Sequence, residues 1–599
     1  MIGLPVPTAE DRDAWDPARI DGPTLRALRE RAAADRGPWP VPLARDYARY
    51  FRDGDRETYE SIIWARERRL SRAAVLAAVT LDDAWLDEVA DGVTLLCEQS
   101  SWCWPAHDDT NARHGAVVPT VTEPYVDLGA GEVAAQLAWV DHLLGARLDA
   151  RAPGVRARLR HEVDRRVLTP FERRRDWHWL GLDGDVHNWS PWIQGNIVVA
   201  ALQLVDDDAR RTALVGLAVE GLQRYAAALP ADGAIDEGHA YWWNGAGRLL
   251  EALDVLGRAG GLEGALRETV AFPHRVHLGG PWYLNHADGQ ARPTTGMPWH
   301  ALHRAARLAG DEEAAAHAAA HRVPATPVAH EELGLGRLLR ALTDRDWRDA
   351  RPGPSPLPRD VWLPSTQVLL ARATAGSAAG LAVAVKGGHN DEHHNHNDVG
   401  SVVVALGGVP VLVDAGRPTY TAQTFGPDRY HIWTMHSAWH NVPFVRGTAQ
   451  RAGRAFAAGG VAVQITDERS RLRLDLAAAY PRDDVRHWWR TAGLDRAAGR
   501  VTVTDEWDLE PGGTGGTQIR YLAAGHVLLA PGRAEITAVG GAGTVVLTWA
   551  PAAPCTATVR ELDDPMLRDV WGDDLTRLDI DVTGLGPAGT LELSIEELR

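Results

Sequence analysis

The sequence predicts a multidomain α+β protein: an N-terminal helical region closing into an (α/α) toroid or bundle, followed by an antiparallel β-sandwich. Three observations predict this class. Apolar residues recur at three- and four-residue spacing through the first 350 positions, a proline-rich stretch breaks the pattern, and beyond it the period changes to two. The expected domains are residues 1–350, a linker at 351–365, and 366–599.

In the helical region, residues 60–78, 132–144, 214–229 and 247–256 carry the periodicity. Leu137, Val140 and Leu144 form one stripe, and Leu249, Leu250, Leu253 and Leu256 another, with Pro230 and Gly257 as stops. Many helices of similar length with short connections suggest stacked helical hairpins, without strands. Four polar-aromatic patches interrupt them: SSWCWPAHDD (100–109), DVHNWSPWIQGN (185–196), DGAIDEGHAYWWNG (232–245) and LNHADGQARP (284–293). Each falls at a helix end or loop, where functional groups on a rigid scaffold concentrate. Together they carry Trp102, Trp104, Trp189, Trp192, Trp242 and Trp243, indole faces suited to lining a carbohydrate cleft.

Residues 351–365 hold five prolines and read as a linker. After them, 367–372, 381–385, 461–465, 471–476, 500–507, 544–549 and 590–595 read as strands with glycine-rich turns, most simply a two-sheet sandwich.

Chemistry concentrates in residues 386–441. Seven of the 24 histidines fall there: His389, His393, His394, His396, His431, His436 and His440. Residues 401–406 and 409–413, joined by Gly407 and Gly408, are a hairpin signature. If the extended conformation starts early, alternation puts His394, His396 and Asp398 on one face. A His-X-His pair, the carboxylate of Asp414 one hairpin later and His440 make a three-ligand zinc set with an open or water-filled fourth position. Lys386, the single lysine, immediately precedes the cluster. A compact ammonium retained where every other cation is arginine suggests that a compact charge matters there; a structural role is weighed above a functional one, and Lys386 is kept as a candidate contact for substrate.

A net charge of −17 disfavours nucleic acid or an anionic membrane as partner. Cys97, Cys103 and Cys555 give no even disulfide framework. The N-terminus lacks a signal-peptide pattern and no window is apolar enough to span a membrane, so a cytoplasmic location is expected.

The quoted motifs resemble those of the heparinase II/III-like polysaccharide lyases. HNHNDVGS, VLVDAGRPTY and SAWHN are similar to that family's C-terminal signature, and EQSSWCWPAHDD, HNWSPWIQGN and DGAIDEGHAYWW to its N-terminal one, over roughly residues 98–450. The resemblance implies a toroid joined to a sandwich, with the active site between them, and β-elimination at uronic acid residues. It makes Tyr241 the catalytic tyrosine, Asn188 a carboxylate-neutralising asparagine and His394 a catalytic histidine. It makes His396, Asp414 and His440 the ligands of one zinc, read as structural. Some members carry a further catalytic histidine directly after the asparagine, where this chain has Trp189. Elimination needs neutral donors on the carboxylate, for which His239 is a further candidate, then a base at C5 and an acid at O4. Tyr241 suits the acid, and the base lies between Tyr241 and His394. Trp104, Trp189 and Trp243 are expected to wall sugar subsites. The expected partner is a short, imported uronic-acid oligosaccharide, with homo-oligomerisation left open. The alternatives are a zinc-dependent hydrolase, a glycoside hydrolase using two carboxylic acids, of which Asp236 and Glu237 supply at most one side, and a non-catalytic carbohydrate binder.

Overall fold

The computed structural model describes residues 3–257, 264–293 and 296–598. The chain divides into two compact units. One comprises Met1–Leu229, Trp243–Val270 and Thr294–Pro354; the other comprises Pro230–Trp242, Ala271–Pro293 and Ser355–Arg599. The second unit therefore takes two segments from the helical half of the sequence, and a single cut at the proline-rich stretch does not reproduce the division.

The first unit is built on six helices: Glu57–Thr80, Leu128–Arg151, Trp189–Leu204, Ala246–Val255, Trp299–Ala309 and Leu335–Thr343. Each packs on the next, and the sixth packs on the first, so the ring closes. Asp83–Glu98, Val155–Val163, Asp208–Ala228 and Glu312–Ala320 pair with members of the ring as an outer layer, which gives the (α/α) toroid. Four of these helices start at a side-chain cap: Asp82, Asp127, Asp207 and Asp311 each accept a bond from the backbone of the first turn. The stripe of Leu137, Val140 and Leu144 is fully buried in this unit's core. The closing seam is ionic as well as apolar. Glu331 accepts Arg31 through both carboxylate oxygens at 2.6 Å and Arg72 at 3.0 Å.

In the second unit two antiparallel sheets face each other. The eight-stranded sheet runs, in spatial order, Gly459–Ile465, Arg469–Asp475, Val485–Asp495, Arg500–Leu509, Ala588–Glu597, Thr544–Ala550, Arg533–Thr537 and His526–Ala530. The nine-stranded sheet runs Cys555–Glu561, Asp574–Asp581, Gln518–Ala523, Val409–Leu412, Val402–Leu406, Leu381–Lys386, Val368–Arg372 and Asp360–Leu363, with Pro443–Phe444 also on Gln518–Ala523. Alternate residues such as Val383 and Val404 from one sheet and Leu472, Val503 and Leu593 from the other share one core. Leu381–Lys386 and Val402–Leu406 are buried on both faces. The 271–293 segment accounts for part of the second covering: Arg372, 1% exposed, donates to the carbonyls of His277 and Leu278.

Three expectations need correction. Residues 360–363 of the expected linker form an edge strand, register Val361 opposite Leu370, because the last proline before it lies at 358 and the backbone donors beyond are free to pair. The half of the sequence read as wholly helical contains a small strand pair, His277–Gly279 with Trp282–Tyr283. Alternation does not reach back to His394: the strand starts at Val402, and His394 itself is left-handed at φ +54°.

Candidate active site and metal centre

The catalytic candidates of the second unit come from four places in its sequence: the turn before Tyr241, the 284–293 patch, the loop after Leu381–Lys386, and the segment after Val409–Leu412. Gly238 makes the first approach feasible. At φ +80° it lies against the carbonyl of His286, and a Cβ there would sit 2.6 Å from that oxygen.

Asp288 is the hub. Its buried carboxylate accepts His394 Nδ1 at 2.9 Å, His396 Nε2 at 3.0 Å, Tyr420 Oη at 2.9 Å and Arg429 Nη2 at 3.0 Å on both oxygens. Burial alone would raise this carboxyl, but the bonds from His394 and His396 and the charge of Arg429 hold it well below the ordinary aspartate range. An ionised Asp288 accepts the Nδ1–H of His394, so the neutral ring carries its lone pair on Nε2. Nε2 faces Glu237 Oε1 at 3.4 Å, and burial pushes the Glu237 carboxyl up to about 7.

The Tyr241 ring stacks on His394, centroids 4.1 Å apart at 27°. Its hydroxyl is bonded to that of Tyr420, whose ring lies 3.9 Å under the Arg417 guanidinium. Burial raises the Tyr241 phenol above the ordinary tyrosine value against the opposing charge of Arg417, so it is protonated at neutral pH.

Next to this group, His396, Asp414 and His440 each offer a ligand atom, all within 4.8 Å of one another, and all three side chains are buried. His396 Nε2 is occupied by Asp288, which leaves Nδ1 facing Asp414 at 4.0 Å. His440 Nδ1 lies 3.1 Å from Asp414 Oδ2 without the alignment of a hydrogen bond. Among the described residues, His396 Nδ1, Asp414 Oδ2 and both His440 nitrogens have no hydrogen-bond partner. Buried polar atoms left unpaired around one point fit a cation, and a histidine held from behind by a carboxylate is the usual support of such a ligand.

Other expected contacts are placed differently. Lys386 is 2% exposed, its ammonium closed by Asp398 at 2.5 Å and Glu392 at 2.8 Å. Burial works against that charge, but the two carboxylates more than offset it and hold its pKa above the ordinary lysine value. The single lysine anchors the His394 loop from inside; it has no surface to offer a substrate. His239 is 2% exposed and stacks on Tyr283 at 3.8 Å, inside the unit.

In the helical unit, Asn188 is the N-cap residue of Trp189–Leu204, buried, with Oδ1 unpaired. Trp189 packs on His107 at 4.3 Å and His178 at 5.0 Å, and His107 is held by Asp127 at 2.8 Å. Trp104, Trp189 and Trp192 keep partial exposure. Trp102, Trp242 and Trp243 do not: each is at most 2% exposed, and Trp243 meets Trp299 edge-on at 4.8 Å. Those three are core residues.

Residues 364–567 match the family model described as heparinase II/III-like, C-terminal. This part of the chain is similar to the C-terminal domain of that family. Solved structures extend the likeness in fold over nearly the whole chain. A heparinase III crystal structure superposes with TM-score 0.62 at 10% identity, covering 90% of this chain and 78% of its own. The heparan sulfate lyase of Pedobacter heparinus gives 0.56 at 12% identity, over 95% and 87%. The Streptomyces coelicolor A3 chondroitin AC lyase, solved with chondroitin sulphate, gives 0.52 at 11% identity, over 98% and 82%. No curated protein matches the chain in sequence.

Sequence reasoning quoted the 284–293 patch and the VLVDAGRPTY motif but did not single out Asp288, Tyr420 or Arg429 within the site. The signal available was Asp288 in a polar patch that amphipathic packing does not explain. Its partners lie more than 100 residues away in sequence.

Proposed function

We propose that this chain is a polysaccharide lyase that cleaves uronic-acid-containing glycans by β-elimination, with His394 as base and Tyr241 as acid. One observation carries the assignment: Tyr241 stacks on a histidine whose Nδ1 is committed to an ionised carboxylate. In the neutral tautomer that this bond selects, an imidazole lone pair stands beside a protonated phenol, the pair that elimination needs. His394 Nε2 takes the C5 proton and Tyr241 delivers its own to the departing O4. The resemblance keeps Asn188 as the donor that neutralises the uronate carboxylate, which lowers the cost of charge developing at C5. Placing Tyr241 as acid agrees with its raised pKa, and the base falls to His394 because a buried tyrosinate is the costlier species.

The proposal includes one zinc held by His396, Asp414 and His440. The ion would supply fixed positive charge that braces the loop carrying His394. It also includes preference for short oligomers over polymer, read from rates on a length series. Among the described residues no helix is long and apolar enough to cross a membrane. The test is product analysis on a panel of uronic-acid oligosaccharides. An unsaturated uronate absorbing in the near ultraviolet, lost in Tyr241→Phe by roughly a hundredfold or more in kcat with folding retained, is the expected result. Products carrying added water and no chromophore would make the chain a hydrolase, and an intact glycan would make it a binder.

A further inference from the structure

Tyr241 can serve as acid only if the phenolate it leaves behind is held, and most of its surroundings oppose one. Its hydroxyl bonds that of Tyr420, which in turn donates to the ionised Asp288 at 2.9 Å. Burial, Asp288 and Glu237 all work against a negative charge on Tyr241, and the cation acting in its favour is Arg417. Arg429, the guanidinium on Asp288, is already committed to both of that carboxylate's oxygens at 3.0 Å.

Arg417 is held without being neutralised. Among the described residues it forms no ion pair; its Nη1 donates to the Pro418 carbonyl and to the Met566 sulfur, each at 3.3 Å, and neither acceptor carries charge. The backbone is pinned on both sides. The Arg417 carbonyl accepts Gln290 Nε2 at 2.9 Å, and the Thr419 N–H donates at 2.9 Å to Asp564, the cap of the short helix Pro565–Trp571 that carries Met566. The guanidinium then lies 3.9 Å over the Tyr420 ring, where a cation favours negative charge on the phenol oxygen. A thioether in the place where a carboxylate would complete an ordinary ion pair leaves the charge to the two tyrosines.

We propose that Arg417 is a positioning residue for the acid, acting through Tyr420 to hold the phenolate that Tyr241 becomes when its proton leaves. The inference rests on the lyase reading. In the step itself the C5–H electrons form the C4–C5 double bond, the C4–O4 bond breaks, O4 takes the Tyr241 proton and His394 keeps the proton from C5.

The test compares two substrates by the rate of unsaturated product: a uronate disaccharide, and the same uronate carrying para-nitrophenol on O4. A sugar alkoxide must be protonated as it leaves, whereas para-nitrophenolate departs without a proton, so only the first needs the acid. Arg417→Met is expected to lower kcat roughly tenfold or more on the disaccharide and less than about threefold on the aryl substrate, and Tyr241→Phe to show the same split. Arg417→Lys should recover part of the loss, because it restores the charge. Met566→Glu reaches the same end from the other side, by giving the guanidinium a carboxylate, and it carries the test if Arg417→Met does not fold. Thermal melts establish which variants are folded. Equal losses on both substrates, no loss on either, or no recovery with lysine would overturn the proposal. A wild type that makes unsaturated product, with the split in Tyr241→Phe but in neither Arg417→Met nor Met566→Glu, removes Arg417 alone. No unsaturated product from wild type on either substrate removes the lyase reading, and this inference with it.

Discussion

Asp288→Asn is the sharpest perturbation the site offers. The substitution keeps the side-chain shape but replaces one acceptor oxygen with an NH2 group, in a place where four donors converge. At least one donor must lose its partner, at about 1.5–3 kcal/mol for a bond to a charged group. Arg429, 12% exposed at its side chain, loses its counter-charge, and breaking such a buried pair costs about 3–5 kcal/mol. Because Arg429 also donates to the Asn395 carbonyl and can relax, the lower end applies. We expect the sandwich unit to lose about 3 kcal/mol, which leaves it folded at 25 °C if it has ordinary stability. The rate should suffer far more. Without a carboxylate on Nδ1 the imidazole can place its proton on Nε2, where it no longer acts as base, and in comparable carboxylate–imidazole arrangements kcat falls roughly 10⁴-fold. Urea unfolding gives the first quantity and the near-ultraviolet progress curve the second. An Asp288→Asn protein that is destabilised as expected but turns over within a few-fold of wild type would refute the argument that Asp288 sets the base.

Lys386→Met should destabilise the same unit by about 3–5 kcal/mol, since it leaves Glu392 and Asp398 buried without their cation, while KM of the folded enzyme stays put; a raised KM at unchanged stability would restore a substrate role. His396→Ala should reduce zinc, measured by metal analysis, from one per chain to none, and unchanged content would sink the ligand assignment. Acid should destabilise the helical unit well above the carboxylate range. Burial lowers His300 to about 3 and His321 to about 4, so both are neutral when folded at neutral pH, whereas unfolding restores the ordinary value near 6.5. The unfolded chain therefore binds more protons below that value. Stability falls by up to about 1.4 kcal/mol per pH unit for each histidine from pH 6.5 down to about 4. Melts of wild type and His300→Gln at pH 7 and pH 5 check it: equal losses in both would remove His300 from the effect.

The parts that were legible in the sequence are those specified locally. Leu137, Val140 and Leu144 announce a helix face because burial at that spacing requires one, and the Val402–Leu406 and Val409–Leu412 hairpin follows from β-branched runs around two glycines. His396, Asp414 and His440 could be grouped because few uses other than a cation draw two histidines and a carboxylate from a strand pair and a nearby loop. What failed depends on distant partners. Lys386 stood out by rarity, but rarity carries no information about Asp398 and Glu392 closing over it. Trp243 looked like Trp189 in the sequence; only the packing of Trp299 separates a core indole from a partly exposed one. Asp288 collects donors from residues 394, 396, 420 and 429, a convergence that no local window contains.

The closed ring has a bearing on how the chain is made. The helix Glu57–Thr80 buries a long run, Leu70 to Val79, and part of what covers it is Leu335–Thr343, the last ring helix to leave the ribosome. The lock on that seam, Glu331 between Arg31 and Arg72, joins residues 300 and 259 positions apart. For most of its synthesis, then, the nascent polypeptide carries a horseshoe with an open apolar side. Such a state invites pairing with a second copy. A stalled chain ending near residue 330 should consequently be a strong chaperone client, and one extended past residue 343 should be released.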